Sequence, residues 1–181
     1  FLHWAQQQMH HRATRDQATR DLRFPHAEFR RGQRPLAESV YKAVSTGRCL
    51  LAQAPTGIGK TLGTIFPMLK AMAAQQLDTL LFLTAKTPGR QLALDAARVL
   101  FSGVPGLALR VLELVARDKA CEHLDKACHG ESCPLAKGFY DRLPAARQAA
   151  SQVPLLDRQA LREVALEHQV CLLYTSPSPR D

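Results

Sequence analysis

Apolar side chains recur along the chain with two spacings, one typical of helices and one typical of buried strands. Between residues 35 and 46 they recur every three to four positions, which predicts a helix that ends at Gly47. Residues 2–21 are polar and rich in Gln and Arg, and they are also compatible with a helix. Further helices are predicted over 61–74, 87–101, 141–150 and 157–169.

Three short apolar runs predict strands. They are CLLAQA (49–54), TLLFLT (79–84) and LALRVLELV (107–115). Apolar runs of this length fit strands that are covered on both faces. Because they alternate with predicted helices, the fold class is predicted to be α/β, with a parallel sheet and right-handed crossovers. Cys49, at the start of the first run, is expected to be buried and inert.

Composition and charge narrow the class of protein. With 46% apolar residues, the 181-residue chain can fill a hydrophobic core. No apolar run approaches the roughly 18–20 residues that cross a bilayer, and no signal peptide begins the chain. We therefore expect a cytoplasmic, bacterial protein with no membrane contact.

The formal net charge is +8, and much of it lies in the first 35 residues. An excess of arginine suits a polyanion such as nucleic acid, because each phosphate contact releases counterions. A solvated basic helix without a partner explains the same charge equally well. The arginines in question are Arg12, Arg15, Arg20, Arg23, Arg30, Arg31 and Arg34.

The stretch APTGIGKT (54–61) has the form of a phosphate-binding loop between a predicted strand and a predicted helix. Glycines allow backbone N–H groups to approach phosphate oxygens, and the helix N-terminus adds positive potential. Lys60 is expected to reach the β and γ phosphates of ATP, and the Thr61 hydroxyl to ligate Mg²⁺, which makes both residues catalytic. The predicted nucleotide-binding residues are Ala54, Pro55, Thr56, Gly57, Ile58, Gly59, Lys60 and Thr61.

The stretch CEHLDKACHGESC (121–133) follows the third predicted strand and carries three cysteines. Structural zinc sites favour CxxC pairs, which are absent, whereas the wider spacing C-x6-C-x4-C suits a [4Fe–4S] cluster held by four thiolates. The predicted metal ligands are Cys121, Cys128, Cys133 and Cys171. Zinc with a histidine ligand stays an alternative, from His123, His129 or His168.

Residues 171–181, CLLYTSPSPRD, resemble the reading-frame translation of a sequencing adapter. The segment after Cys171 is short, polar and broken by prolines. We therefore expect 171–181 to be an artefactual tail that lies outside the fold. Cys171 is then either a genuine fourth ligand or the first residue that the adapter encodes.

Together with its neighbours, APTGIGKT resembles motif I of superfamily 2 helicases, and specifically the XPD/DinG family of iron–sulfur DNA helicases. FRRGQRPLAESVYKAV (29–44) is similar to the segment before motif I, which implies that Gln33 lies near the adenine of ATP. LFLTAKTPGRQLALD (81–95) is similar to motif Ia. This likeness implies that the backbone of single-stranded DNA lies near Thr84, Lys86 and Thr87. The cysteines stand where these helicases insert their iron–sulfur domain.

The resemblance implies a truncated RecA-like P-loop NTPase domain with a small, mainly helical iron–sulfur insertion. The predicted division is a basic helical lead-in (1–23), the first part of the RecA-like domain (24–116), an incomplete iron–sulfur domain (117–170) and the tail. The implied parent protein is a monomeric ATP-dependent helicase that moves 5′ to 3′ on single-stranded or forked DNA. Its cofactors would be ATP, Mg²⁺ and a structural [4Fe–4S] cluster.

The 181 residues contain no acidic Walker B motif, so we expect this chain neither to unwind DNA nor to hydrolyse ATP appreciably. Two other functions stay open from the residues alone. One is a P-loop NTPase with a zinc-binding insertion and no helicase activity. The other is a nucleic-acid-binding module with a degenerate nucleotide site.

Overall fold

The computed structural model describes residues 2–102, 109–116, 120–127 and 129–171. The chain divides into two units, Phe1–Ala108 and Leu109–Asp181. The predicted domain boundaries, at 23–24 and 116–117, stay predictions. The helices of the first unit are α1 (Leu2–Asp21), α2 (Gln33–Ser45), α3 (Lys60–Met72) and α4 (Thr87–Ser102). The described elements of the second are β1 (Val111–Leu112), α5 (Phe139–Ser151), β2 (Leu155–Leu156) and α6 (Arg158–Glu167).

The predicted helices are confirmed, each within a few residues of its expected bounds. The signals at their ends explain this agreement. Gly59 has a φ of 82° directly before α3, and the Asp157 side chain caps α6 by accepting a hydrogen bond from the Ala160 N–H at 3.0 Å. In the part of the chain that the structure describes, no helix is long and apolar enough to cross a membrane.

Helix α3 is the centre of the first unit. Helix α2 packs along it, and α1 and α4 also contact it. Its buried residues Ile65 and Leu69 belong to a core that includes Val40 of α2 and Leu100 of α4. Spacings of three and four residues along each helix place these side chains on one face.

Two of the three predicted strands are absent from the structure. Residues 49–54 and 79–84 form neither strand nor helix, and Leu51 and Leu83 are 101% and 87% exposed. A strand requires a hydrogen-bonded neighbour, and within the described ranges no backbone hydrogen bond joins either run to another segment. The prediction of buried strands was wrong because apolar composition indicates a tendency to be buried and does not identify a partner. Cys49, predicted to be buried, is exposed for the same reason.

The second unit contains a short parallel strand pair. Val111 lies opposite Leu155 and Leu112 opposite Leu156, and β1 falls within the third predicted strand. Strand β2 was not predicted, because two apolar residues are too short a run to indicate a strand. Parallel pairing, as expected for the α/β class, is therefore seen among the described residues only in this unit.

The core of the second unit lies between α5 and α6. Phe139, Leu143 and Ala146 project from α5 and meet Ala165 of α6. Val170 and Cys171, which follow α6, complete this core, and each is at most 4% exposed. Residues 172–181 lie outside the described residues, so Cys171 is the one position of the predicted tail that the structure describes.

Candidate functional site

The phosphate loop, residues 54–61, has the conformation that its glycines predict. Gly57 and Gly59 have φ angles of 83° and 82°, in the left-handed region that favours glycine. The loop leads directly into α3 at Lys60. Among the described residues, the N–H groups of Gly57, Ile58 and Gly59 donate to no backbone carbonyl. These groups and the first turn of α3 can therefore donate to an anion.

Lys60 folds back over the phosphate loop. Its Nζ donates to the carbonyl of Ala54 at 3.0 Å and to the carbonyl of Pro55 at 2.8 Å, and the residue is exposed. The ammonium group is thus held close to the loop by two neutral acceptors. Phosphate oxygens are stronger partners for a cation than carbonyl groups, so a bound nucleotide can replace these contacts. Thr61 is half-buried in the first turn of α3.

Gln33 and Arg30 brace the phosphate loop from the start of α2. Gln33 is 3% exposed; its Nε2 donates to the Gly59 carbonyl at 3.0 Å and its Oε1 accepts from the Arg30 N–H at 3.1 Å. The Arg30 guanidinium donates to the Gly57 carbonyl at 2.9 Å. The structure therefore places Gln33 against the loop, while its role near adenine stays a prediction. Arg30 was missed, because nothing in the sequence distinguishes it from the arginines around it.

The three residues predicted to contact DNA meet at the turn before α4. The Thr84 hydroxyl donates to the Lys86 carbonyl at 3.3 Å and accepts from the Lys86 N–H at 3.5 Å. Thr87 is the first residue of α4. All three residues are exposed, so their side chains can reach a ligand.

A second site is the cysteine pocket, a small cleft that is partly open to solvent and lined by Cys121, Cys133 and Cys171. Cys133 and Cys171 are buried, Cys121 is half-buried, and none of the three forms a disulfide. The structure thus brings together three of the four predicted ligands, and Cys128 lies outside the described residues. Within the described ranges, no three His, Cys, Asp or Glu side chains are grouped closely enough to hold one metal ion. His123 also lines the pocket.

Two arginines connect the segments around the cysteine pocket. Arg142 of α5 donates through Nη2 to the carbonyls of Lys137 (2.6 Å) and Gln169 (2.7 Å), and through Nε to Gln169 again (3.1 Å). Arg162 of α6 makes a bidentate ion pair with Glu122, at 2.5 and 2.9 Å. The hydrogen bonds from Arg162 hold the pKa of the Glu122 carboxyl below its ordinary value, and the same contact raises the pKa of Arg162. Neither arginine was singled out from the sequence.

Part of the basic charge in the first 35 residues is neutralised within the first unit. Arg15 is 7% exposed, and its Nη2 lies 2.7 Å from Asp16 and 3.1 Å from the Asp78 carboxylate. Arg12 lies 3.3 Å from the same carboxylate of Asp78. These two arginines attach α1 to the first unit, so their charge is not an argument for a polyanionic partner.

Comparisons with known proteins identify the family. The family described as DEAD/DEAH box helicase matches residues 34–155, which include the whole phosphate loop and the whole stretch 121–133 with its three cysteines. A stretch of 47 residues is 38% identical to a probable ATP-dependent helicase of Methanocaldococcus jannaschii and covers 26% of this chain and 7% of that protein. No solved structure matches. Because the family match covers more than half of the chain, the chain belongs to the DEAD/DEAH box helicase family.

Proposed function

We propose that this chain is part of an ATP-dependent helicase and that its phosphate loop binds ATP with Mg²⁺. The DEAD/DEAH box family implies a RecA-like domain that uses both cofactors. The observation that carries the proposal is the conformation of the loop, in which Gly57 and Gly59 have positive φ and α3 begins at Lys60. This arrangement directs free N–H groups and the positive end of a helix at phosphate oxygens.

In this proposal Lys60 exchanges its two carbonyl contacts for the β and γ phosphates, and the Thr61 hydroxyl ligates Mg²⁺. Gln33 and Arg30 hold the carbonyls of Gly59 and Gly57 on one side of the loop, which supports N–H groups that face the other side. Since residues 1–181 contain no acidic Walker B motif, we expect ATP to bind without appreciable turnover.

Binding of a fluorescent ATP analogue, with and without Mg²⁺, tests this proposal. Lys60→Ala removes the cation from the loop and should weaken binding by roughly 100-fold, the usual cost of losing a charged contact to an anion. Lys42→Ala, an exposed lysine on α2, is the matched control and should bind like the wild type. Equal affinity of Lys60→Ala and wild type would contradict the nucleotide site, and turnover that Lys60→Ala abolishes would contradict the expected lack of hydrolysis.

We further propose that the parent helicase is of the XPD/DinG type and that the cysteine pocket holds a [4Fe–4S] cluster. Each iron of such a cluster takes its own thiolate, so the ligands stand farther apart than the ligands of one zinc ion. Three cysteines that line one pocket without forming a single-ion site are consistent with that wider spacing. Cys128 would supply the fourth thiolate. When bound, the cluster supplies a cross-link between the segments that carry these cysteines.

Metal analysis of protein purified without oxygen tests the cluster. We expect iron and acid-labile sulfide together with broad visible absorbance. Stoichiometric zinc without iron would instead support an NTPase with a zinc-binding insertion.

Single-stranded DNA, bare or next to a fork, is the proposed partner. The support is the exposed turn that carries Thr84, Lys86 and Thr87, where a hydroxyl and an ammonium group are accessible together. Lys86→Ala should weaken binding to single-stranded DNA and reduce its dependence on salt, because one phosphate contact is lost. An unchanged salt dependence would exclude Lys86 from the DNA contact. The 5′ to 3′ direction is part of the same proposal.

A further inference from the structure

We propose that Arg142 and Arg162 are positioning residues that set the arrangement of the three cysteine-bearing segments around the cysteine pocket. This inference rests on the proposed iron–sulfur function for its purpose, although the contacts themselves do not depend on a metal. Neither arginine lines the pocket. Both act through other groups, one through backbone carbonyls and the other through a carboxylate.

Arg142 joins the segment that follows Cys133 to the segment that precedes Cys171. The Lys137 N–H donates to the Cys133 carbonyl at 3.2 Å, so the Lys137 carbonyl belongs to the turn that begins at Cys133. Gln169 has a φ of 54°, which is uncommon for a residue other than glycine, and it lies two positions before Cys171. One guanidinium group donates to both carbonyls, at 2.6 and 2.7 Å. This group therefore sets the distance between the two turns.

The backbone beside Arg142 leaves room for the guanidinium. Gly138 has a φ of 66°, and a Cβ at this position would lie 2.9 Å from Nη1 of Arg142. An alanine here would therefore be strained and would also displace the guanidinium. Gly138 supplies an independent way to disturb the contact without changing the arginine.

Arg162 holds the third segment, which carries Cys121, in place. Its guanidinium donates to both carboxylate oxygens of Glu122, the residue after Cys121, at 2.5 and 2.9 Å. The pair is partly exposed, so it contributes little to the stability of the fold. Its bidentate geometry nevertheless fixes the orientation of the Cys121 segment relative to α6. We therefore expect substitutions to change the arrangement of the thiols more than the stability of the fold.

Cross-linking of thiols measures that arrangement without any metal. In a chain that keeps Cys133 and Cys171 and carries serine at the other cysteines, dibromobimane should link the two thiols. Arg142→Gln and Gly138→Ala should each lower the cross-linked fraction several-fold. Arg147→Gln is the matched control, because Arg147 is exposed on the same helix and its side chain makes no hydrogen bond or ion pair among the described residues. Thermal unfolding checks that each variant is folded. If a variant does not fold, Arg142→Lys takes its place, because lysine keeps the positive charge but lacks the paired N–H donors of the guanidinium.

Iron retention provides the second measurement. With all cysteines present, Arg142→Gln and Arg162→Gln should lose iron to a chelator about tenfold faster than wild type, the usual effect of residues that orient metal ligands. Exchanging the pair, with Glu122→Arg and Arg162→Glu together, should restore part of the retention.

The outcomes separate the inference from the proposed function. If wild type takes up no iron, the cluster is wrong, and the cross-linking result alone decides whether Arg142 positions the two thiols. If wild type takes up iron and the arginine variants match it in both cross-linking and retention, the positioning role is overturned. A cross-linked fraction that falls in Arg147→Gln as far as in Arg142→Gln would also overturn it.

Discussion

The phosphate loop and the cysteine pocket are assembled in opposite ways. The loop consists of consecutive residues, 54–61, and its two left-handed glycines determine its shape. The pocket draws its cysteines from positions 121, 133 and 171, with α5, β2 and α6 lying between the last two. A contiguous site can therefore be predicted together with its geometry. A dispersed site can be predicted only as a set of residues, because other side chains bring its parts together.

The largest expected effect is a loss of iron, and it tests whether Cys171 is a ligand in the cysteine pocket. Cys171→Ser should reduce iron per chain to a small fraction of the wild-type content, because a [4Fe–4S] cluster needs four thiolates and Cys171 is one of the buried thiols in the pocket. The measurement is iron, sulfide and visible absorbance of protein purified without oxygen.

Cys49→Ser is the control for that experiment. Cys49 is a free, exposed cysteine in the first unit, so its loss should leave the iron content unchanged. Full iron content in Cys171→Ser would remove Cys171 from the ligand set.

The next-largest effect is a loss of stability, and it tests how far the conformation of the phosphate loop depends on its own glycines. Gly59→Ala should lower the free energy of unfolding by about 2–3 kcal/mol, from the strain of a positive φ and the loss of a buried hydrogen bond. The added Cβ would lie 2.4 Å from Nε2 of Gln33, so the Gln33 amide must leave the Gly59 carbonyl. Urea unfolding gives the value.

Gly47→Ala separates the two contributions to that change. Gly47 has a φ of 64° but nothing within 4 Å of an added Cβ, so the variant should lose only the conformational part, about 1 kcal/mol. Equal losses in Gly47→Ala and Gly59→Ala would mean that the Gln33 contact does not matter to the loop.

The sequence predicts what depends on neighbouring residues. The helices and the left-handed glycines follow from local signals and agree with the structure, and α3 begins at Lys60, one residue before its predicted start at Thr61. The runs 49–54 and 79–84 were predicted as strands and are not, because pairing depends on a partner that a local pattern does not specify. Arg30, Arg142 and Arg162 could not be predicted, since each acts on a backbone carbonyl or carboxylate that only the fold brings near.

A smaller loss of stability tests Gln33, one of two residues that hold the phosphate loop from outside it, the other being Arg30. Gln33→Glu keeps the acceptor for the Arg30 N–H and loses the donor to the Gly59 carbonyl, and it also places a carboxylate at a site that is 3% exposed. It should lower stability by about 1–2 kcal/mol, the usual cost of leaving a buried polar group unpaired. ATP affinity should fall in parallel. Stability and affinity equal to wild type would show that the loop does not depend on the hydrogen bond from Gln33.

The smallest effect concerns a second contact between distant residues of the first unit. Asp78 receives Arg15 and Arg12 of α1, and the Arg15 side chain is 8% exposed. Asp78→Asn should lower the free energy of unfolding by about 1 kcal/mol and speed amide exchange in α1, because Arg15 keeps Asp16 but loses one ionised partner.

Glu38→Gln is the control, because it breaks the exposed pair with Arg34 and should change the free energy of unfolding by no more than about 0.5 kcal/mol. If both variants change stability equally, burial adds nothing to the Arg15 contact. Helix α1 would then be held to α3 by contacts other than this distant ion pair, such as the hydrogen bond that Lys70 of α3 donates to the Arg20 carbonyl.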